Sequence, residues 1–119
     1  MNPTPKSLGF RMPAEWEKQE AIWLSWPHNK NTWPKGILEE VEDSYAQFVK
    51  FLHNGQKVKI LVNDRDSENN VKSKLKLAEI NLNQIIFYQI KTQDAWIRDY
   101  GATFVVNNRE NKLAMVKWI

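Results

Sequence analysis

Ile37-Leu-Glu-Glu-Val-Glu-Asp-Ser-Tyr-Ala-Gln-Phe-Val-Lys-Phe-Leu-His-Asn-Gly55-Gln-Lys-Val-Lys-Ile-Leu-Val62 changes its period partway along. Up to Asn54 the apolar positions Ile37, Leu38, Val41, Tyr45, Phe48, Val49 and Leu52 recur at three and four residues, the spacing of one helix face. Glu39, Glu40, Glu42 and Asp43 fall in the early turns, near the positive end of the helix dipole. Asn54-Gly55 marks the stop, because glycine readily takes the left-handed conformation that ends helices. From Lys57 the chain becomes apolar and β-branched towards Val62, which suits a strand, and Asn63-Asp64 turns the chain and caps the next segment.

The same alternation extends in both directions. Ala21-Ile-Trp-Leu-Ser-Trp26, stopped by Pro27, reads as a strand buried on both faces. The turn-rich stretch from His28 to Gly36 reads as a loop in which Trp33 is the one large apolar residue to hide, and a tryptophan so placed often covers a pocket. Asp66 to Ile80 predicts a more solvated helix, with Val71, Leu75, Leu77 and Ala78 around one face. Ile85 to Ile90 predicts a third strand, and Ala102–Val106 with Leu113–Trp118 predicts a hairpin across Asn107 to Lys112. Residues 1–12, with Pro3 and Pro5, read as a mobile arm. The expected class is α/β, a mixed sheet with two helices, whose ligand crevice lies beyond the carboxyl ends of the strands.

Composition narrows the function. The 119 residues, 42% hydrophobic and 26% charged, suit one globular domain, and the six tryptophans are a large apolar surface for so short a chain. A net charge of +3 comes from lysines interspersed with acids, so no nucleic-acid patch is expected. There is no cysteine, which excludes disulfides, thiolate metal sites and a thiol nucleophile within these residues. His28 and His53 have no acid at ligand spacing, so neither a metal nor another cofactor is expected. No apolar stretch is long enough for a membrane span, and the amino-terminal residues lack a signal-type apolar core; a cytoplasmic protein is the expectation.

Thr92-Gln-Asp-Ala-Trp96-Ile-Arg-Asp-Tyr-Gly101 gathers two acids, one arginine and two aromatics after the third strand. A planar guanidinium is best held by a carboxylate accepting two parallel hydrogen bonds and an aromatic face on which it stacks. Trp96 and Asp99 offer both. The same composition also suits a structural corner, with Arg98 paired to Asp94 or Asp99 and Trp96 in the core.

Met12-Pro-Ala-Glu-Trp-Glu17, Ala21-Ile-Trp-Leu-Ser-Trp-Pro-His28, Leu61-Val-Asn-Asp64 and Asp94-Ala-Trp-Ile-Arg-Asp-Tyr-Gly101, in this order, resemble the amino-terminal third of the agmatine deiminases, a group related to bacterial-type protein-arginine deiminases. The resemblance implies a pentein fold, a pseudo-fivefold α/β propeller of ββαβ units, of which residues 13–119 would be the first unit and part of the next: the amino-terminal portion of a single catalytic domain, cut off inside the apolar pattern at Trp118-Ile119. It further implies hydrolysis of agmatine to N-carbamoylputrescine and ammonia, a step of putrescine and polyamine biosynthesis, through a cysteine thiouronium intermediate.

Carried over by position, Asp99 is the catalytic, substrate-binding carboxylate and Trp96 the aromatic wall. Asp94, Arg98 and Tyr100 are neighbours supporting them, and Asp94 also suits a loop-ordering role. The family's acid/base histidine and nucleophilic cysteine are expected beyond Ile119. Gln93, at a place usually acidic or amide-bearing, and Ala102, where proline is common, depart from the pattern without touching the gripping pair. The partners implied are a small guanidine compound, the remainder of the deiminase domain and, compatibly, further copies of the chain, with no nucleic acid and no membrane. A protein-arginine deiminase relative and a non-hydrolysing guanidine-binding module are the alternatives.

Overall fold

A computed structural model describes residues 2–117, and its contacts divide the chain into two compact units, residues 19–97 and residues 1–18 with 98–119.

The first unit is a parallel sheet in the order β1 (Ala21–Ser25), β2 (Lys57–Val62), β3 (Ile85–Gln89), with α1 (Ile37–Leu52) and α2 (Arg65–Leu77) as its crossovers. Leu24, Val58, Ile60, Val62 and Ile85, alternate residues of the strands, form one buried cluster with Ala46 and Val49 of α1 and Val71 and Leu75 of α2. Both helices therefore lie on one face, since side chains two apart along a strand share a face.

The opposite face carries Trp23, its ring 5.0 Å from that of Tyr88, with the Lys59 ammonium 5.0 Å from the Trp23 ring centroid. The expectation that β1 is buried on both faces thus holds only at its end, where Leu24, Ser25 and Trp26 are buried while Trp23 is half-buried. The alternation Lys57-Val-Lys-Ile already places amines on that second face.

Helix ends differ in a way that local chemistry explains. Gly55 is not left-handed; α1 stops at Leu52 with the His53 and Asn54 side chains on the Lys50 carbonyl and the Gly55 N–H on that of Leu52. The left-handed glycine beside α1 is Gly36 (φ 82°), which follows Lys35 (φ 57°) and leads the chain into α1. In α2, Asp64 accepts the Ser67 N–H at 2.8 Å as a cap. That helix ends three residues short of Ile80 because Glu79 turns left-handed (φ 59°) and the Ile80 N–H donates back to the Leu75 carbonyl at 3.1 Å. Leu77, expected on the buried face, is 86% exposed, since about 100° per residue places it some 200° from Leu75.

The second unit is an antiparallel hairpin of β4 (Thr103–Asn107) and β5 (Lys112–Val116), closed by Asn107, whose side chain accepts the Arg109 and Glu110 N–H groups. Trp118, the expected end of β5, lies outside the described residues. The expected single mixed sheet is instead two sheets, and the second pairing of β4 is an isolated bridge from Arg11 to Val106 with both N–H···O bonds at 2.9 Å. The segment before it holds one 3-10 turn, Lys6–Leu8, and α3 (Ile97–Tyr100), expected as loop, is one short helical turn that runs from the first unit into the second.

Arg11 donates to both oxygens of Glu17 at 2.7 and 2.9 Å, and the Ala14 N–H adds a third bond at 3.0 Å. The Arg11 guanidinium, then the Ala14 N–H, hold the Glu17 carboxyl down at about 2, against an ordinary 4.5. A depressed carboxylate stabilises the fold above its unfolded-state value and loses that contribution as pH falls through its folded one, here between roughly 4.5 and 2. Carbon-detected titration of the Glu17 carboxyl should therefore find its midpoint near 2; a midpoint in the ordinary range would mean the pair does not form in solution.

Candidate functional site

At the carboxyl edge of the parallel sheet β1 and β2 end on polar side chains that hold the chain leaving β3. Ser25, at the end of β1 and 1% exposed, lies 3.2 Å from the Thr92 hydroxyl and donates to the Asp94 carbonyl at 3.3 Å. Asn63, just past β2, accepts the Thr92 N–H at 2.8 Å. Asn29, in the loop between β1 and α1, donates to the Gln93 carbonyl at 3.1 Å. Three residues of that exit loop, Thr92 to Asp94, are thus fastened from two strand ends and one neighbouring loop before the chain reaches Trp96.

Asp94 is the junction. Its carboxylate accepts the Thr32 hydroxyl in a short hydrogen bond and the Ala95 N–H at 2.8 Å. The Thr32 hydroxyl, then the Ala95 and Trp96 N–H groups and the nearby His28, hold its pKa below the usual carboxylate value against the opposing effect of burial. The Trp96 ring stands 5.8 Å from that of Trp33 at 39° and is 50% exposed. Trp33 also lines a shallow groove with Lys30, Leu38 and Glu42, which fits the expectation that it stands at a surface depression, and its buried indole N–H has no acceptor among the described residues.

Asp99 lies in the second unit, on α3, exposed and with no hydrogen bond or ion pair among the described residues. Arg98 pairs with Glu15 at 3.1 Å, both side chains more than four-fifths exposed. Tyr100 is half-exposed. The structural-corner alternative fails at Trp96, which is no core residue, and at Arg98, whose salt bridge is to Glu15. His28 puts Nδ1 3.1 Å from the Trp26 carbonyl, and His53 caps α1.

Ser25, Asn29, Thr32 and Asn63 were not singled out by sequence. Each is a single small polar residue, and the only signal that reaches them is the rule placing ligand crevices past the carboxyl ends of parallel strands. Among the described residues no helix is long and apolar enough to cross a membrane, and no three His, Asp or Glu side chains are grouped to hold a metal ion.

A parallel α/β layer with fixed polar loops and a half-exposed aromatic at its carboxyl edge has the layout of a small-molecule site. Comparison with known proteins specifies the family. The model of the Porphyromonas-type peptidyl-arginine deiminases matches residues 11–119. A relative from Legionella pneumophila (strain Paris), named provisionally as an agmatine deiminase, is 40% identical over all of this chain and 32% of its own length. The solved agmatine deiminase of Campylobacter jejuni ("C. Jejuni") superposes with a TM-score of 0.74 at 32% identity, over 92% of this chain and 31% of that one. A cysteine-to-serine variant of it with substrate bound gives 0.72 at 30%, over 92% and 30%. The chain belongs to the Porphyromonas-type peptidyl-arginine deiminase family and spans about a third of the length of the curated relatives it matches.

Proposed function

We propose that these residues are part of a cytoplasmic agmatine deiminase, contributing Trp96 and Asp99 to the grip on the substrate guanidinium. The observation that carries the reading is the joint likeness, in sequence and in fold, to agmatine deiminases over nearly the whole chain. The arrangement proposed for the whole enzyme is the pentein propeller, with this chain as its first unit and part of the next.

In the proposed reaction a cysteine thiolate attacks the guanidinium carbon and forms a C–S bond. Collapse of the tetrahedral adduct breaks a C–N bond, and ammonia leaves with a proton supplied by an acid/base histidine. Water then attacks the same carbon, its proton passes to that histidine, and cleavage of the C–S bond restores the thiol and releases N-carbamoylputrescine, an intermediate on the way to putrescine. The bound substrate in a cysteine-to-serine variant of the Campylobacter enzyme suits such a role for the thiol there. Since no cysteine is among the 119 residues, the nucleophile must come from elsewhere in the enzyme, and the isolated chain is expected to release no ammonia from agmatine. The carboxylate of Asp99 pairs with the guanidinium edge and Trp96 covers one face, which orients the planar cation with its other face open to the thiolate.

The reading frame past the codon for Ile119 is the direct test. A His-x-Asp and a later cysteine in frame, in a product that releases ammonia from agmatine faster than from peptidyl-arginine, support the proposal. A stop followed by unrelated sequence leaves a guanidine-binding module, and calorimetry with agmatine would then find 1:1 binding by the chain alone.

A further inference from the structure

The chain leaving β3 is fastened across the carboxyl end of the sheet, and side chains do the fastening where a strand backbone has been diverted. We propose that Asn63 and Ser25 are positioning residues for the segment from Thr92 to Asp94: the Asn63 side-chain oxygen stands in for a β2 carbonyl that α2 has taken, the Ser25 hydroxyl ties the same segment to β1, and Trp96, two residues on, is thereby held at the edge where a planar cation would stack. Residues 25, 63, 92, 94 and 96 all belong to the first unit, so the device is complete within it.

In a parallel pair the hydrogen bonds are evenly spaced, each strand donating to its neighbour from every second residue. The Ile90 N–H donates to the Val62 carbonyl at 2.9 Å, so the next donor is the Thr92 N–H and the next acceptor would be the Asp64 carbonyl. That carbonyl instead accepts the Glu68 N–H at 3.0 Å, because Asp64 is the cap from which α2 starts. The Asn63 amide oxygen takes its place and accepts the Thr92 N–H at 2.8 Å. The crossing then reaches β1. Ser25 is 1% exposed and its hydroxyl carries one proton, which goes to the Asp94 carbonyl at 3.3 Å; at 3.2 Å it therefore accepts from the Thr92 hydroxyl. A hydroxyl so buried needs partners, and these two fix where residues 92 and 94 lie. Asn29 donates to the intervening Gln93 carbonyl at 3.1 Å, and Ala95, the link to Trp96, is 5% exposed. The backbone is thus held up to the residue before Trp96, which is what a half-exposed ring with little packing of its own requires to keep its place.

The link to a guanidinium rests on the deiminase reading above; the anchor itself does not, and two arms of one experiment keep them apart. Amide exchange with solvent is measured on the 15N-labelled chain, with Ile90 as internal reference because its N–H donates to a backbone carbonyl that no variant alters. Asn63→Ala should speed exchange at Thr92 about five- to tenfold relative to Ile90, the range of one hydrogen bond, and move the Thr92 amide proton upfield. Asn63→Asp, which keeps an acceptor oxygen in the same place, should restore both. Ser25→Ala should shift the amide resonances of residues 92 to 94 and leave those of α2 in place. Equal Thr92 exchange in wild type and Asn63→Ala, or acceleration of Thr92 and Ile90 together, overturns the anchor; should Ser25→Ala not fold, the Asn63 pair still decides.

In the enzyme from the complete reading frame, Asn63→Ala should raise KM for agmatine about three- to tenfold, again the range of one hydrogen bond, with kcat within about twofold and recovery in Asn63→Asp. Equal KM in wild type and Asn63→Ala overturns the positioning role. Should the complete frame show no agmatine turnover at all, the deiminase reading falls and the exchange arm alone decides the anchor.

Discussion

Replacing Leu75 by alanine should lower the unfolding free energy by about 2–5 kcal/mol, a large part of what a domain of this size holds. Leu75 is fully buried, at 0% exposure, in the cluster that joins α2 to Val58, Ile60 and Val49. The matched control is Leu77→Ala on the same helix: at 86% exposure it should change stability by less than about 0.5 kcal/mol. Urea unfolding of both variants, read by far-UV circular dichroism, makes the comparison. Equal losses at the two positions would mean that α2 is rotated about its axis from the placement described. A negligible loss at Leu75 would mean that the helix does not pack on the sheet in solution.

That pair also marks where pattern reading succeeds and where it stops. The period change at Gly55 separates α1 from β2 because a burial stripe must repeat at 3.6 residues in a helix and at 2 in a strand. Three strands and two helices follow from that arithmetic, β2 to the residue. Leu77 shows the limit: a leucine two positions after Leu75 counts towards hydrophobicity but sits on the far side of the helix. Backbone conformation was less legible still. Gly55 and Gly36 look alike as helix-flanking glycines, yet only Gly36 turns left-handed, since α1 closes on the His53 and Asn54 side chains before it reaches Gly55.

The pairing of β4 was hidden for a related reason, since Arg11 bonds to Val106 through backbone groups that carry no mark in the sequence. In the candidate site the composite run from Asp94 to Asp99 was visible because two acids, a cation and an aromatic are rarely so crowded. Thr32 was not, because a single hydroxyl in a polar loop becomes significant only when a fold brings a carboxylate from 62 residues away onto it. The local ion pair that composition equally allowed did not form; Arg98 found Glu15 instead.

Asp99→Asn should reduce kcat/KM for agmatine in the enzyme from the complete reading frame by about a hundredfold or more. The substitution keeps shape and one acceptor oxygen but removes the charge, and the amide turns a donor towards a substrate group that itself only donates. Hydrogen bonds to charged groups contribute about 1.5–3 kcal/mol each, so converting one of two parallel bonds into a donor–donor clash loses at least about 3 kcal/mol. At about 1.4 kcal/mol per factor of ten that exceeds two orders of magnitude. Trp96→Ala should cost less, about five- to thirtyfold, because stacking of a cation on one half-exposed ring is worth about 1–2 kcal/mol. The order of the two effects discriminates. A guanidinium grip requires the carboxylate variant to be the worse, whereas a site that merely shelters the alkyl part of the substrate would suffer more from loss of the ring. Steady-state kinetics on the two variants, with circular dichroism to establish that both are folded, reads the order directly; an Asp99→Asn enzyme within about threefold of wild type would remove this carboxylate from the reaction.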